Sequence, residues 1–306
     1  MTLDLSQQLT AGKKAAENVK LTGKFERVIF CGVGGSAIPA DIITMLWLKG
    51  LNAYVHRGYG LPYFADQHCL VICTSWSGET EEVLSSFRVA QAAHLPTAVV
   101  TRGGQLLALA QSASVPTVLL PADDVPARFG IGYMLAALLT LLSGSAIIDY
   151  SLEGYIGSRP MASPTFASRI SGKIPLIYSS FPWRYLARMW KVNFNENSKL
   201  HAFFNYFPEA AHNEIAGFQP TQKDAYFPII LTDRAGEPTD VAKLTKFIGF
   251  LSAQGFDHSV VELAGATRLA KILNSYNQAV VVSTALAELQ GIDPLDISVI
   301  EKFKKI

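Results

Sequence analysis

The sequence predicts an α/β protein built as two αβα sandwich lobes, each a mainly parallel sheet flanked by helices. Three observations predict it. Short runs of β-branched and apolar residues alternate with longer segments of helical spacing, which is the pattern of strands joined by crossover helices. The rhythm breaks at a Gly-, Ser- and Pro-rich stretch around Ser151–Gly172 and then restarts. With 306 residues, 49% of them hydrophobic, the chain can fill two cores. The expected lobes are residues 1–150 and 151–306, with a weak internal duplication between them.

The first strand is expected at Arg27–Cys31, an apolar run that ends in glycines. A helical pattern follows over Ala37–Lys49. Further strands are expected at Ala53–His56, Leu70–Cys73, Thr97–Val100 and Thr117–Leu120, with a helix over Glu81–Ala93. The stretch Tyr133–Ile148 is too short to span a bilayer, which takes roughly 20 residues, so it reads as a buried core helix. In the second lobe the pattern predicts strands at Ile174–Tyr178, Phe227–Leu231, Ser259–Glu262 and Gln278–Ser283. A helix is expected over Trp183–Asn193 and a last one over Leu295–Lys305. Pro294 and Asp296 suit the start of that last helix, and Lys302, Lys304 and Lys305 suit its end.

The formal net charge is +1, so no long-range field draws nucleic acid or an anionic membrane. Cys31, Cys69 and Cys73 lack metal-binding or redox spacing, which predicts buried, reduced thiols in a cytoplasmic protein. The first 20 residues show no apolar secretory segment. His56, His68, His94, His201 and His258 are scattered and show no metal-ligand spacing.

Two loops carry the chemistry. Cys31-Gly-Val-Gly-Gly-Ser-Ala37 lets the backbone approach a ligand and leads into a helix N-terminus, an anion-binding arrangement. Gly34, Gly35 and Ser36 are the candidate contacts. The spacing of Gly32, Gly34 and Ala37 also fits a dinucleotide fingerprint, but the region about 20 residues on offers His56 and Arg57 rather than a carboxylate, leaving only an NADP variant through Arg57. The second loop, Thr74-Ser-Trp-Ser-Gly-Glu-Thr80, offers Ser75, Ser77 and Thr80 around a glycine before a helix. One hydroxyl would make a helix cap; three suit a phosphate dianion.

GVGGSA after one strand and SWSGET after a later one resemble the sugar isomerase (SIS) domain, which binds phosphosugars through an S-x-S-G-x-T loop. The second half adds Asn193-Phe-Asn-Glu-Asn-Ser-Lys199 and Phe207-Pro-Glu-Ala-Ala-His-Asn-Glu-Ile-Ala-Gly-Phe218. These stretches resemble the N-E-N-x-K and F-P-E-x-x-H-N-E-I motifs of the bifunctional phosphoglucose/phosphomannose isomerases. Pro126-Ala-Arg128 and Gly291-Ile-Asp-Pro294 extend the resemblance over nearly the whole chain.

The resemblance implies an aldose–ketose isomerase that interconverts glucose 6-phosphate and mannose 6-phosphate with fructose 6-phosphate through a cis-enediol. It implies that Glu196 is the proton-transferring base and that His212 and a C-terminal lysine, Lys302 or Lys304, open the ring. Arg128 would stabilise the enediolate. Two lysines two positions apart point about 200° apart on a helix, so one of them faces the site. The resemblance also implies a homodimer with His212 donated across the interface, and no metal or cofactor. A non-catalytic phosphosugar sensor of the same fold shares SWSGET, but has no need of Glu196, His212 and a terminal lysine together.

The chain departs from the family pattern at Leu295, where relatives carry a threonine that makes room for mannose-type substrates. Glu79 replaces a common asparagine and adds a negative charge near the phosphate loop unless it turns outward. Val33 and Pro39-Ala40 are further departures.

Overall fold

The computed structural model describes residues 3–121, 125–150 and 164–304. Its contacts divide the chain into two compact units, Asp4–Ile156 and a second made of Met1–Leu3 with Gly157–Ile306. Most of the Gly/Ser/Pro-rich stretch lies outside the described residues.

The N-terminal unit begins with α1 (Leu5–Ala16), capped by Asp4, whose carboxylate accepts the Gln7 N–H at 3.0 Å. There follow β1 (Arg27–Cys31), a 3-10 turn at Gly34–Ala37, α2 (Ile38–Met45), β2 (Ala53–His56), β3 (Cys69–Ser75), α3 (Glu81–Ala92), β4 (Thr97–Thr101), α4 (Gly104–Ser112), β5 (Thr117–Leu119) and α5 (Ile131–Gly144). The sheet is parallel, in the order β2-β1-β3-β4-β5. Ile29, Cys31, Cys69, Val71, Cys73 and Val99 form one apolar cluster with Val83, Phe87, Leu106 and Ala110 of α3 and α4. Burial of β1, β3 and β4 explains why they read as continuous apolar runs rather than alternating ones. All three cysteines are buried free thiols. α5 is buried along most of its length, as its apolar sequence predicts. The helix expected over Ala37–Lys49 is shorter at its end: α2 stops at Met45, and Trp47 takes a left-handed φ of 51°.

The second unit runs through α6 (Pro164–Ile170), β6 (Ile174–Ser180), α7 (Arg184–Asn197), β7 (Phe203–Phe207), β8 (Tyr226–Thr232), α8 (Pro238–Ala253), β9 (Ser259–Glu262), α9 (Arg268–Leu289) and α10 (Ser298–Phe303). Its parallel sheet has the order β7-β6-β8-β9. The first strand of each unit is therefore flanked by the second on one side and the third on the other. α7 and α9 pack together, and the Trp190 indole N–H of α7 donates to the Ser275 hydroxyl of α9 at 3.0 Å. Tyr178, Phe207, Phe218, Ile230 and Phe247 anchor the apolar cluster that α8 covers.

The strand expected at Gln278–Ser283 is instead the middle of α9. This helix is buried on almost every face, so the sequence shows no amphipathic period, and Val280–Val282 imitates a strand. Thr267 caps α9 by accepting the Ala270 N–H at 3.1 Å. Among the described residues, no helix is long and apolar enough to cross a membrane.

Candidate active site

In the N-terminal unit, the chain leaves β1 for one side of the sheet and reaches β3 on the other. This is a topological switch point, where ligands of open α/β sheets bind outside the C-terminal strand ends. Both loops singled out in the sequence emerge there. Gly34 has a φ of 57°, a left-handed conformation that glycine adopts at little cost. Gly35 is required for a different reason: a Cβ there would lie 2.7 Å from the Arg128 backbone nitrogen. The missing side chain lets Pro126–Phe129 pack against the first loop and brings Arg128 to the same edge of the sheet.

Ser36 is buried, and its hydroxyl accepts the Trp76 backbone N–H at 3.0 Å, which links the two loops. The indole N–H of Trp76 donates to the Val125 carbonyl at 2.8 Å, and the Arg102 guanidinium lies 5.2 Å from the centre of its ring. Within the second loop, the Ser75 and Thr80 hydroxyls are 2.8 Å apart, and Ser75 Oγ accepts the Gly78 N–H at 3.0 Å. Thr80 is the N-cap of α3 by backbone position, yet its hydroxyl makes no capping bond. The first-turn N–H groups of α3 are thus left for another acceptor. Ser77 is exposed on the same loop, and its hydroxyl accepts the Glu79 N–H at 3.2 Å.

Glu79 turns away from this cradle. Its Oε1 accepts the Gln105 N–H at 2.8 Å, so its charge serves the first turn of α4. Arg128 is buried, with its guanidinium 4.7 Å from the Phe129 ring centre. Arg57, the residue left for an NADP reading, is ion-paired with the buried Asp41 carboxylate. Among the described residues, three buried polar side-chain atoms make no hydrogen bond: His56 Nε2, Arg57 Nε and Thr74 Oγ1. All three lie at or just beyond the C-terminal ends of β2 and β3, the edge that carries the loops.

In the second unit, Glu196 is half-buried one residue before the end of α7. The end of this helix is fixed from within: Asn197 Nδ2 donates to Asn193 Oδ1 at 3.1 Å and to the Ser283 hydroxyl of α9 at 2.9 Å. Lys199, in a left-handed conformation with φ 52°, donates to the Glu196 carbonyl at 2.5 Å and to the Asp296 carbonyl at 2.7 Å. One ammonium thus joins the Glu196 turn to the segment carrying Leu295 and α10. Burial lowers the pKa of Lys191 on α7, and Arg188 adds to the effect, while the Glu196 carboxylate opposes it.

The two C-terminal lysines differ in their surroundings. Lys304 pairs with Glu301 at 3.2 Å. Lys302 is exposed, and its charge is among those that hold the Asp296 carboxyl below its usual value, after the hydrogen bonds from Ser298. Leu295 is 47% exposed, just before α10. His212 lies on the loop after β7. It is exposed, and its imidazole makes no hydrogen bond or ion pair among the described residues. Among the described residues, no group of three or more His, Cys, Asp or Glu side chains is placed to hold a metal.

The sequence assigns Glu209 and Glu214 a structural role, but it does not reveal the bonds of Glu214 to Tyr178 and Asn205 or the part played by Lys199. Both residues stand in the quoted motifs, but their partners, the Asp296 carbonyl for Lys199 and Tyr178 and Asn205 for Glu214, are distant or unmarked in the sequence.

The paired parallel sheets and the glycine- and hydroxyl-rich loops at the switch point define a two-lobed SIS-type α/β protein. A hypothetical protein of Thermus thermophilus has the same fold, with a TM-score of 0.75 at 15% identity over 98% of this chain and 85% of that one. Residues 162–306 match the family described as the bacterial phospho-glucose isomerase C-terminal SIS domain. A bifunctional phosphoglucose/phosphomannose isomerase of Thermoplasma volcanium is 31% identical over 291 residues, 92% of each chain. A D-glucosamine-6-phosphate 4-epimerase of Sulfolobus acidocaldarius is 31% identical over 225 residues, 70% of this chain and 71% of that one. The chain belongs to the bifunctional phosphoglucose/phosphomannose isomerase family.

Proposed function

We propose that this protein is a cytoplasmic aldose–ketose isomerase that interconverts glucose 6-phosphate and mannose 6-phosphate with fructose 6-phosphate. The observation that carries this reading is the pair of loops at the switch point, fastened by the Ser36–Trp76 hydrogen bond, in a chain whose family performs this reaction. The Ser75, Ser77 and Thr80 hydroxyls, with the first-turn N–H groups of α3, take the phosphate, while Gly34, Gly35 and Ser36 line the first loop.

Glu196 removes the proton from C2 of the open-chain aldose and returns it to C1. A carboxylate is the residue type this step needs, and general base catalysis of this kind contributes about 10²–10⁴-fold. Arg128 offsets the charge that develops on the enediolate oxygens. C2 becomes trigonal in the enediol, so the two aldose epimers share one intermediate. His212 and a terminal lysine open the ring, and the pairing of Lys304 with Glu301 favours Lys302 for that role. The exposure of His212 supports a homodimer in which each subunit lends its imidazole to the other's site.

The test is a coupled assay of metal-stripped protein with glucose 6-phosphate and, separately, mannose 6-phosphate, following fructose 6-phosphate. The expected result is turnover of both, with solvent deuterium entering the product at the carbon that receives the proton. Turnover of neither, with fructose 6-phosphate still bound, would replace the isomerase by a phosphosugar sensor.

A further inference from the structure

The loop carrying His212, between β7 and β8, is held together by its own bonds. Ala211, Ala216 and Phe218 donate their N–H groups to the carbonyls of Pro208, Asn213 and Ile215. Asn213 Nδ2 donates to Glu209 Oε1 at 2.7 Å, closing the turn around His212, and Asn213 Oδ1 accepts the Glu214 N–H. These contacts give the loop an internal shape but do not fix it to the sheet.

Glu214, two residues after His212, does that. Its Oε1 accepts the Tyr178 hydroxyl of β6 at 2.5 Å, and its Oε2 accepts Asn205 Nδ2 of β7 at 2.5 Å. Among the described residues, these are the only hydrogen bonds that run from the side chains and backbone of 209–222 to a strand. Both are charge-assisted, and both partners come from neighbouring paired strands, Tyr178 lying opposite Asn205. Tyr178 is 1% exposed; burial, with Glu214 beside it, pushes its hydroxyl far above the ordinary value and keeps it a neutral donor. Ala210 and Phe218 are buried on either side of the exposed histidine.

We infer that Glu214 is the positioning residue for His212: its carboxylate bridges β6 and β7 and thereby sets the height and direction of an imidazole that makes no hydrogen bond of its own among the described residues. This rests on the reading of His212 as a ring-opening residue. Without the bridge the histidine remains present, but its loop is left with the apolar packing of Ala210, Ala211, Ile215 and Phe218. A displacement of about 1 Å at a reacting group costs up to 10²-fold in rate.

The experiment compares the full-length wild type with Glu214→Ala, Tyr178→Phe, His212→Ala and the double variant His212→Ala/Glu214→Ala. Anomer exchange of glucose 6-phosphate by NMR reports ring opening, and the His212 imidazole cross-peak reports loop order. Glu214→Ala should lower ring opening about tenfold, leave KM within threefold, and shift or broaden the His212 cross-peak. It should add little to His212→Ala, because residues that act as one unit are not additive. Tyr178→Phe removes one arm and should show the same signature more weakly, which covers the case in which Glu214→Ala fails to fold. An equal loss from Glu214→Ala with and without His212 would overturn the inference, as would an unmoved cross-peak in a variant that still folds. If His212→Ala opens the ring as fast as wild type while Glu214→Ala still moves the cross-peak, the catalytic reading of His212 falls and the tether stands.

Discussion

The Ser36 hydroxyl accepts the Trp76 N–H at 3.0 Å, and both residues are buried. This bond joins the loop after β1 to the loop after β3 across two neighbouring strands. Ser36→Ala would leave a buried donor without an acceptor, which costs about 1–3 kcal/mol. The expected outcome is a fall in unfolding free energy of that size, seen as a lower urea midpoint at an unchanged slope, together with a KM for fructose 6-phosphate raised severalfold. A variant with wild-type midpoint and KM would show that the loops hold their spacing without it.

Glu196→Gln keeps the shape of the residue assigned as base and removes its proton affinity. The expected loss in kcat is about 10²-fold or more, with KM little changed, because the interaction lost belongs to the transition state. Steady-state kinetics in both directions check it; a variant as fast as wild type would remove Glu196 from the chemistry.

Leu295→Thr supplies the hydroxyl that the family resemblance leads one to expect at this position. Leu295 is 47% exposed, so the change should cost little stability. The expected outcome is a higher ratio of mannose 6-phosphate to glucose 6-phosphate turnover, measured on one preparation. An unchanged or lowered ratio would take Leu295 out of the specificity argument.

Asp257 gives a pH-dependent contribution of definite sign. The Arg169 hydrogen bond, chiefly, lowers its pKa against the opposing effect of burial, with the Arg169 and Lys173 charges adding to it. A carboxyl whose pKa is lower folded than unfolded stabilises the fold above the unfolded value of about 3.9, and that stabilisation disappears as pH falls through the folded value. Asp257 is 43% exposed at its side chain, so solvent screening limits the pair to about 1 kcal/mol or less. Asp257→Asn should therefore lower stability slightly at pH 7, and the gap to wild type should close as the pH drops below about 4. Thermal unfolding at pH 7 and pH 3 checks this; a gap that widens in acid would refute the assignment.

The parallel strands of the first unit are legible because burial on both faces leaves unbroken β-branched runs such as Val28–Cys31 and Leu70–Cys73. The two loops at the switch point are legible because their glycines and hydroxyls lie within a few residues of one another. What the sequence hides is set by tertiary packing. Phe203–Phe207 is aromatic rather than aliphatic, lies at the edge of its sheet with Phe203 and Phe204 exposed, and so does not read as a strand. Val280–Val282 reads as one because α9 is enclosed by apolar neighbours. Glu79 looks hostile to a phosphate until Gln105, 26 residues away, is seen to take its charge. His212 and Glu214 are both present in the motif, but only the folded chain shows that one is exposed and the other is fastened to Tyr178 and Asn205.

Gly78 has a φ of 73°, and a Cβ there would lie 1.8 Å from the Gly103 carbonyl oxygen; a Cβ on Gly104, whose φ is 70°, would lie 2.4 Å from the Ser77 carbonyl oxygen. Two stretches of bare main chain, from the loops after β3 and β4, are thus pressed directly together. Neither position can acquire a side chain unless the opposite strand of backbone retreats. In a lineage of such proteins the two sites would have to drift in concert, so the S-G-x-T signature is held in place partly by a neighbour more than 20 residues away that need never touch the sugar.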